Sequence, residues 1–141
     1  MRQEQSFEEI GLESIRVTAE ELKKERYRMV QICALAGQGE TELLYSFDKD
    51  MALRNLKVVV PFGRRVDSIT PSYWSAFVYE NEIHDLFGVE FDGMETDYRG
   101  NFFRVGTKTP WKGASGEGER WGRGLSCPSD LSIQPCPSRS T

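Results

Sequence analysis

The run Glu80-Asn81-Glu82-Ile83-His84-Asp85-Leu86-Phe87-Gly88-Val89-Glu90-Phe91 places five ionisable side chains within an apolar frame and breaks at a single glycine. Glycine favours the left-handed backbone conformation in which helices end, so the run predicts a helix that stops at Phe87 and an extended segment after it. Upstream, Thr70 is suited to be the N-cap of this helix and Pro71 to occupy its first position.

This predicted helix is apolar on two sides. Its apolar residues form two groups, Trp74, Phe77 and Val78 on one surface and Tyr79, Ile83, Leu86 and Phe87 on another. A helix with two apolar surfaces needs two packing partners. We expect one of them to be the sheet of this chain and the other to be a different protein chain.

The residues before this helix predict a short helix and an antiparallel sheet. Thr18 and Glu21 form a capping-box pair ahead of a helix over about residues 19–26. Residues 28–36 and 41–47 read as a β-hairpin around a Gly-rich turn, residues 51–62 contain a third strand, and residues 14–17 are a candidate fourth. The fold class is therefore predicted as α+β, with three or four antiparallel strands and both helices on one face.

Composition narrows the class of protein. The chain has 141 residues, a net charge of −4 and a pI near 5.1, which argues against a nucleic-acid partner. No apolar run approaches the roughly 20 residues of a membrane span, and no secretion signal is expected at the N-terminus. Three cysteines in such a chain are expected to be reduced thiols in an intracellular protein.

A change of composition near Gly106 divides the chain. Of the 36 residues from 106 to 141, 16 are Gly, Pro or Ser, and too few apolar groups remain for a core. We therefore expect a folded domain over residues 1–105 and a tail over residues 106–141 that is flexible or bound to a partner. Trp111 and Trp121 are the two side chains that could anchor this tail in a partner's groove.

The search for catalytic or metal-binding groups leaves three interpretations of the 80–91 run. Glu80 and His84 are spaced as a helical metal-ligand pair, but few further ligands are present in the folded part. A solvated acidic face is the simplest alternative, and a polar interface to a basic partner is the one favoured.

Cys127 and Cys136 match no metal signature. The turn at Asp97–Asn101 is either a surface loop or a further contact, and the residues alone favour a protein that binds another protein.

The run also resembles the signature of the 30 kDa subunit family of respiratory complex I, the NADH–quinone oxidoreductase of bacteria. The resemblance spans about residues 12–105, and the matching positions are Glu80, Glu82, Asp85, Leu86, Phe87, Gly88, Val89 and Phe91. The order N-E-I-H-D-L-F-G, then D-Y-x-G at 97–100 and Thr109-Pro110-Trp111, is more similar to the short subunit of energy-converting, Ech-type membrane-bound nickel–iron hydrogenases. The His-Pro loop usual in complex I members is missing.

The resemblance implies a non-catalytic structural subunit on the cytoplasmic side of the cell membrane. It implies that this chain binds no cofactor, while its partners, a hydrogenase-like large subunit and an iron–sulfur small subunit, carry nickel–iron and iron–sulfur groups. The expected partner interface consists of Glu80, Glu82, His84, Asp85, Phe87, Gly88, Phe91, Asp97, Tyr98 and Arg99. The alternatives are a subunit of an NADH–quinone oxidoreductase, a formate hydrogenlyase-like or quinone-reducing assembly, and a small metal-dependent enzyme that uses Glu80 and His84.

Overall fold

The computed structural model describes residues 4–104 and 106–112. Its helices and strands follow in the order β1 (Glu4–Glu9), α1 (Ile15–Lys24), β2 (Arg28–Ala36), β3 (Glu40–Lys49), β4 (Ala52–Pro61), β5 (Arg65–Asp67), α2 (Ala76–Phe87) and β6 (Glu90–Asp92). A single 3₁₀ turn precedes α1. The α+β class, the four-stranded sheet and the two helices confirm the predicted fold class.

The main sheet has the strand order β1-β4-β3-β2. Strands β2, β3 and β4 are antiparallel, as predicted, and the β2–β3 hairpin turns at Gly37–Gly39. Strand β1, however, runs parallel to β4 along the outer edge. The prediction of a fourth strand at residues 14–17 was wrong, because that segment belongs to the 3₁₀ turn and α1.

The hydrophobic core lies between one face of this sheet and the two helices. The predicted alternation is confirmed, since buried side chains occupy alternate positions along β3 and β4: Leu43, Tyr45, Phe47, Leu56, Val58 and Val60. Helix α1 contributes Ile15, Ala19 and Leu22 at helical spacing. This buried stripe starts at Ile15, which explains why α1 begins four residues before the predicted start and encloses Thr18.

Helix α2 also begins at a different residue from the one predicted. Its regular turns start at Ala76, and the segment from Ile69 to Ser75 consists of tight turns. Thr70 does not cap α2, because its hydroxyl is hydrogen-bonded to Ser68 Oγ at 2.7 Å and accepts from the Glu95 backbone N–H. The predicted end is confirmed: Gly88 has a φ of 73° and its N–H donates to the His84 carbonyl.

Strands β5 and β6, which precede and follow α2 in the chain, form a small parallel pair. Arg65 to Asp67 lies against Glu90 to Asp92, so the segments before and after the helix are held side by side. Beyond β6, residues 106–112 pack back onto α2, with the Trp111 N–H donating to the Leu86 carbonyl at 2.9 Å. Trp111 thus contacts its own domain. The rest of the predicted tail, including Trp121, lies outside the described residues.

Candidate partner interface

Three polar side chains of α2, Glu80, Asn81 and Asp85, are buried almost completely. A buried polar side chain costs free energy unless it is hydrogen-bonded. The hydrogen-bond partners of these three side chains therefore show which segments α2 holds in place. Glu80 points toward the segment before α2, and Asn81 and Asp85, one turn apart on the helix, point toward the loop after β6. The helix therefore fastens two irregular segments on two of its sides.

Glu80 holds the segment that precedes α2. Its carboxylate accepts one hydrogen bond from Ser68 Oγ at 2.6 Å and another from the Ile69 backbone N–H at 2.9 Å. Burial raises the pKa of Glu80 to about 7, although the bonds from Ser68 and Ile69 act in the opposite direction. Tyr45 lies in the same interior, and burial together with the charge of Glu80 raises the pKa of its phenol well above the usual value.

Asn81 and Asp85 fix the path of the loop at residues 95–103. The amide of Asn81 donates to the Thr96 carbonyl at 2.8 Å and accepts from the Tyr98 N–H at 3.0 Å. Asp85 Oδ2 accepts from the Phe103 N–H at 2.6 Å. Because these bonds pair backbone groups of the loop with buried side chains, they hold its conformation much as a strand partner would.

The fixed loop displays aromatic rings at the surface. Tyr98 stacks edge-on against Phe102 with centroids 5.1 Å apart, and Phe102 stacks against Phe103 at 4.9 Å. Tyr98 is 45% exposed and Phe103 is 41% exposed. Large aromatic side chains at this exposure, on a loop that cannot easily fold them inward, are typical of protein–protein contacts.

A cavity of about 300 Å³ lies beside the C-terminal end of α2. Its lining includes His84, Asp85, Gly88, Glu90, Arg99, Gly100, Lys108, Thr109 and Lys112. Lys108 Nζ donates to the Gly100 carbonyl at 2.6 Å and so ties the 106–112 segment to the loop. Asp85 Oδ1 is buried and has no hydrogen-bond partner among the described residues.

The ten predicted interface residues divide into two groups. Glu80, Asp85 and Phe91 bury their side chains within this chain. The expectation that Glu80 and Asp85 form an acidic face toward a partner is therefore corrected: desolvation is offset by backbone N–H donors from their own chain. Phe91 belongs to the core, and its side chain does not lie at the surface of this chain.

The other predicted residues remain at or near the surface. Phe87 is half-buried and stacks on Trp111 with centroids 5.3 Å apart, while Glu82, His84 and Gly88 are partly exposed. Asp97, Tyr98 and Arg99 are exposed. The interface role of these seven residues stays a prediction.

Sequence reasoning missed the roles of Asn81, Ser68 and Phe103. Asparagine is unfavourable inside a helix, so an Asn one turn before an Asp could have indicated that both side chains hydrogen-bond to another segment. For the metal alternative, both oxygens of Glu80 accept hydrogen bonds from the protein. Within residues 4–104 and 106–112, no three His, Cys, Asp or Glu side chains are grouped as a metal site.

Helix α2, the β5–β6 pair and the loop at residues 95–103 are parts of one α+β domain. A family model described as the respiratory-chain NADH dehydrogenase 30 kDa subunit matches residues 9–112. The chain belongs to this family. The match includes the 106–112 segment, which packs on α2.

Among solved structures, the chain is similar to one in the membrane-bound sulfane sulfur reductase (MBS), an archaeal respiratory membrane complex. The two superpose with a TM-score of 0.67 at 24% sequence identity, over 77% of this chain and 68% of the other. This likeness shows a shared fold. No curated protein matches the chain. No helix among the described residues is long and apolar enough to cross a membrane.

Proposed function

We propose that this chain is a structural subunit, without catalytic residues of its own, of a membrane-associated multisubunit oxidoreductase related to respiratory complex I. The observation that carries the proposal is the family match over residues 9–112. The use of the signature residues supports it, since Glu80 and Asp85 are engaged in hydrogen bonds that shape the domain. A domain of this kind contributes by holding an interaction surface in place for neighbouring subunits.

Within that class, we propose an energy-converting nickel–iron hydrogenase, which couples electron transfer from ferredoxin to protons with ion translocation. The two sequence features that favour this branch, residues 97–100 and Thr109-Pro110-Trp111, lie together around the end of α2. A Cβ on Gly100 would come within 4.0 Å of Asp85 Oδ1, and the Thr109 N–H donates to the Asp85 carbonyl at 3.2 Å. Their packing on one helix end supports treating them as one feature.

The proposed neighbours are a hydrogenase-like large subunit, which carries the nickel–iron centre, and an iron–sulfur small subunit. The chain would then be a peripheral subunit on the cytoplasmic side of the membrane. An NADH–quinone oxidoreductase is the alternative complex, favoured by the family match itself.

The test is gentle purification of the chain from its native membranes, followed by mass spectrometry of its companions. Recovery with a nickel–iron large subunit, and hydrogen evolution from a reduced viologen by the purified complex, is the expected result. Recovery with NADH-oxidising subunits would move the chain to the alternative complex. Recovery of the chain alone in the soluble fraction would overturn the proposed function.

A further inference from the structure

Six side chains beside the C-terminal end of α2 form one surface that combines aromatic rings with cations. This surface, called here the docking surface, consists of Tyr98, Arg99, Phe102, Phe103, Lys108 and Lys112. The three rings stack in series, and the three cations line the cavity beside α2. The cation of Lys108 is held against the loop that carries the rings, because Lys108 Nζ donates to the Gly100 carbonyl of that loop.

The docking surface is held in place before any partner binds. Tyr98 and Phe103 receive their backbone positions from Asn81 and Asp85, which are buried on α2. A loop that is already ordered loses little conformational entropy on association. The exposed rings therefore provide apolar contact area at a low entropic cost, as expected for the centre of an interface.

The cations of the docking surface have no carboxylate partner in the described part of the chain. The ion pairs there involve Arg28, Arg54, Lys57, Arg64 and Arg65. Of the two acidic side chains that line the cavity, Glu90 pairs with Arg65 at 3.4 Å and Asp85 is buried. The cavity lining thus carries three cations, Arg99, Lys108 and Lys112, against two carboxylates, one of which pairs with Arg65.

We propose that the docking surface binds an acidic segment of a neighbouring subunit. Carboxylates of that segment pair with Arg99, Lys108 and Lys112 at the rim, and an apolar side chain packs on the rings. Complementary charge of this kind guides association and selects the partner. The inference rests on the proposed function and reverses the expected charge of the contact, in which an acidic face met a basic partner.

The first experiment is zero-length cross-linking of the intact complex with a carbodiimide. This reagent activates a carboxylate, and a lysine amine within contact distance then forms an amide with it, with net loss of one water molecule. We expect cross-linked peptides that join Lys108 or Lys112 to Asp or Glu of a companion subunit. Lys24, exposed on α1, serves as the internal control. Cross-links to companions from Lys24 but none from Lys108 or Lys112 would overturn the inference.

The second experiment uses a matched pair of charge reversals. Arg99 and Arg26 are both exposed and both have a positive φ, 52° and 66°, so Arg99→Glu and Arg26→Glu impose the same kind of change on the backbone. We expect Arg99→Glu to lower recovery of companion subunits at least tenfold and Arg26→Glu to leave it unchanged. Equal recovery with both variants would overturn the inference while the proposed function stands. A wild-type chain without companions would instead overturn the proposed function.

Discussion

The backbone N–H of Phe103 donates a hydrogen bond of 2.6 Å to Oδ2 of Asp85, eighteen residues earlier on α2. One turn before Asp85, Asn81 accepts from the N–H of Tyr98. Two buried side chains on one face of a helix thus set the positions of two exposed aromatic residues. The α2 residues of the family signature contribute to the exposed surface indirectly, because they hold the loop on which that surface lies.

Replacement of Asp85 by alanine should therefore free the loop. The change removes a hydrogen bond to a charged acceptor and leaves the Phe103 N–H without its partner, so we expect a loss of about 2 kcal/mol in the free energy of unfolding. Denaturation by urea measures this loss, and limited proteolysis reports opening of residues 95–103. Asp85→Asn, which keeps an acceptor oxygen, should be less destabilised and more resistant to cleavage. Equal stability of wild type and Asp85→Ala would contradict the role given to Asp85.

Glu80 should make the stability of the domain depend on pH. Burial raises its pKa from 4.5 to about 7, so folding favours the protonated form. The resulting stabilisation is complete below the unfolded pKa of 4.5 and is lost as the pH rises through about 7. The difference between these two pKa values corresponds to about 3 kcal/mol.

Comparison with Glu80→Gln isolates this contribution. The introduced amide does not titrate, and Ser68 Oγ can accept from it in place of donating. Unfolding free energies of both proteins, measured from pH 4 to pH 8, should show the wild type losing about 3 kcal/mol relative to the variant across that range. Parallel profiles for the two proteins would show that Glu80 does not titrate between those limits.

The sequence predicts those parts of the fold in which side chains repeat with a regular period. The alternation of Leu43, Tyr45 and Phe47 gives β3 and its buried face, and Gly88 gives the end of α2. Strand β1 has no such pattern, because all of its side chains, including Phe7, lie exposed at the sheet edge. Its pairing with β4 is decided by tertiary contacts.

The candidate site is less predictable for a related reason. Helical spacing places Asn81 and Asp85 on one face, but it does not say what covers that face. The covering segments, residues 68–70 and 95–103, are irregular and carry no period. A buried acidic residue and a solvated one therefore look alike in the sequence, and only the position of Ser68 or Phe103 distinguishes them.

Tyr45 offers a test in the opposite direction, toward higher stability. Its hydroxyl is buried on the core face of β3 and has no hydrogen-bond partner among the described residues. Because an unpaired buried polar group is unfavourable, Tyr45→Phe should raise the free energy of unfolding by about 1 kcal/mol. Thermal and urea denaturation measure the difference. A loss of stability would show that the hydroxyl has a partner in solution, such as a buried water molecule.

Gly88 should be much less tolerant of a side chain than Gly39, although the two have nearly the same backbone conformation, with φ of 73° and 76°. A Cβ at Gly88 would lie 3.0 Å from Thr109 Cγ2 and 3.2 Å from the Lys112 side chain, whereas none of the surrounding atoms lies within 4 Å at Gly39. Gly39→Ala therefore carries only the cost of the left-handed backbone, about 1–2 kcal/mol. Gly88→Ala should cost more than this and also displace residues 106–112 from α2, which a chemical-shift change at the Trp111 indole N–H would detect. Equal losses in urea denaturation, with an unchanged Trp111 signal, would show that the 106–112 segment does not pack on the helix end.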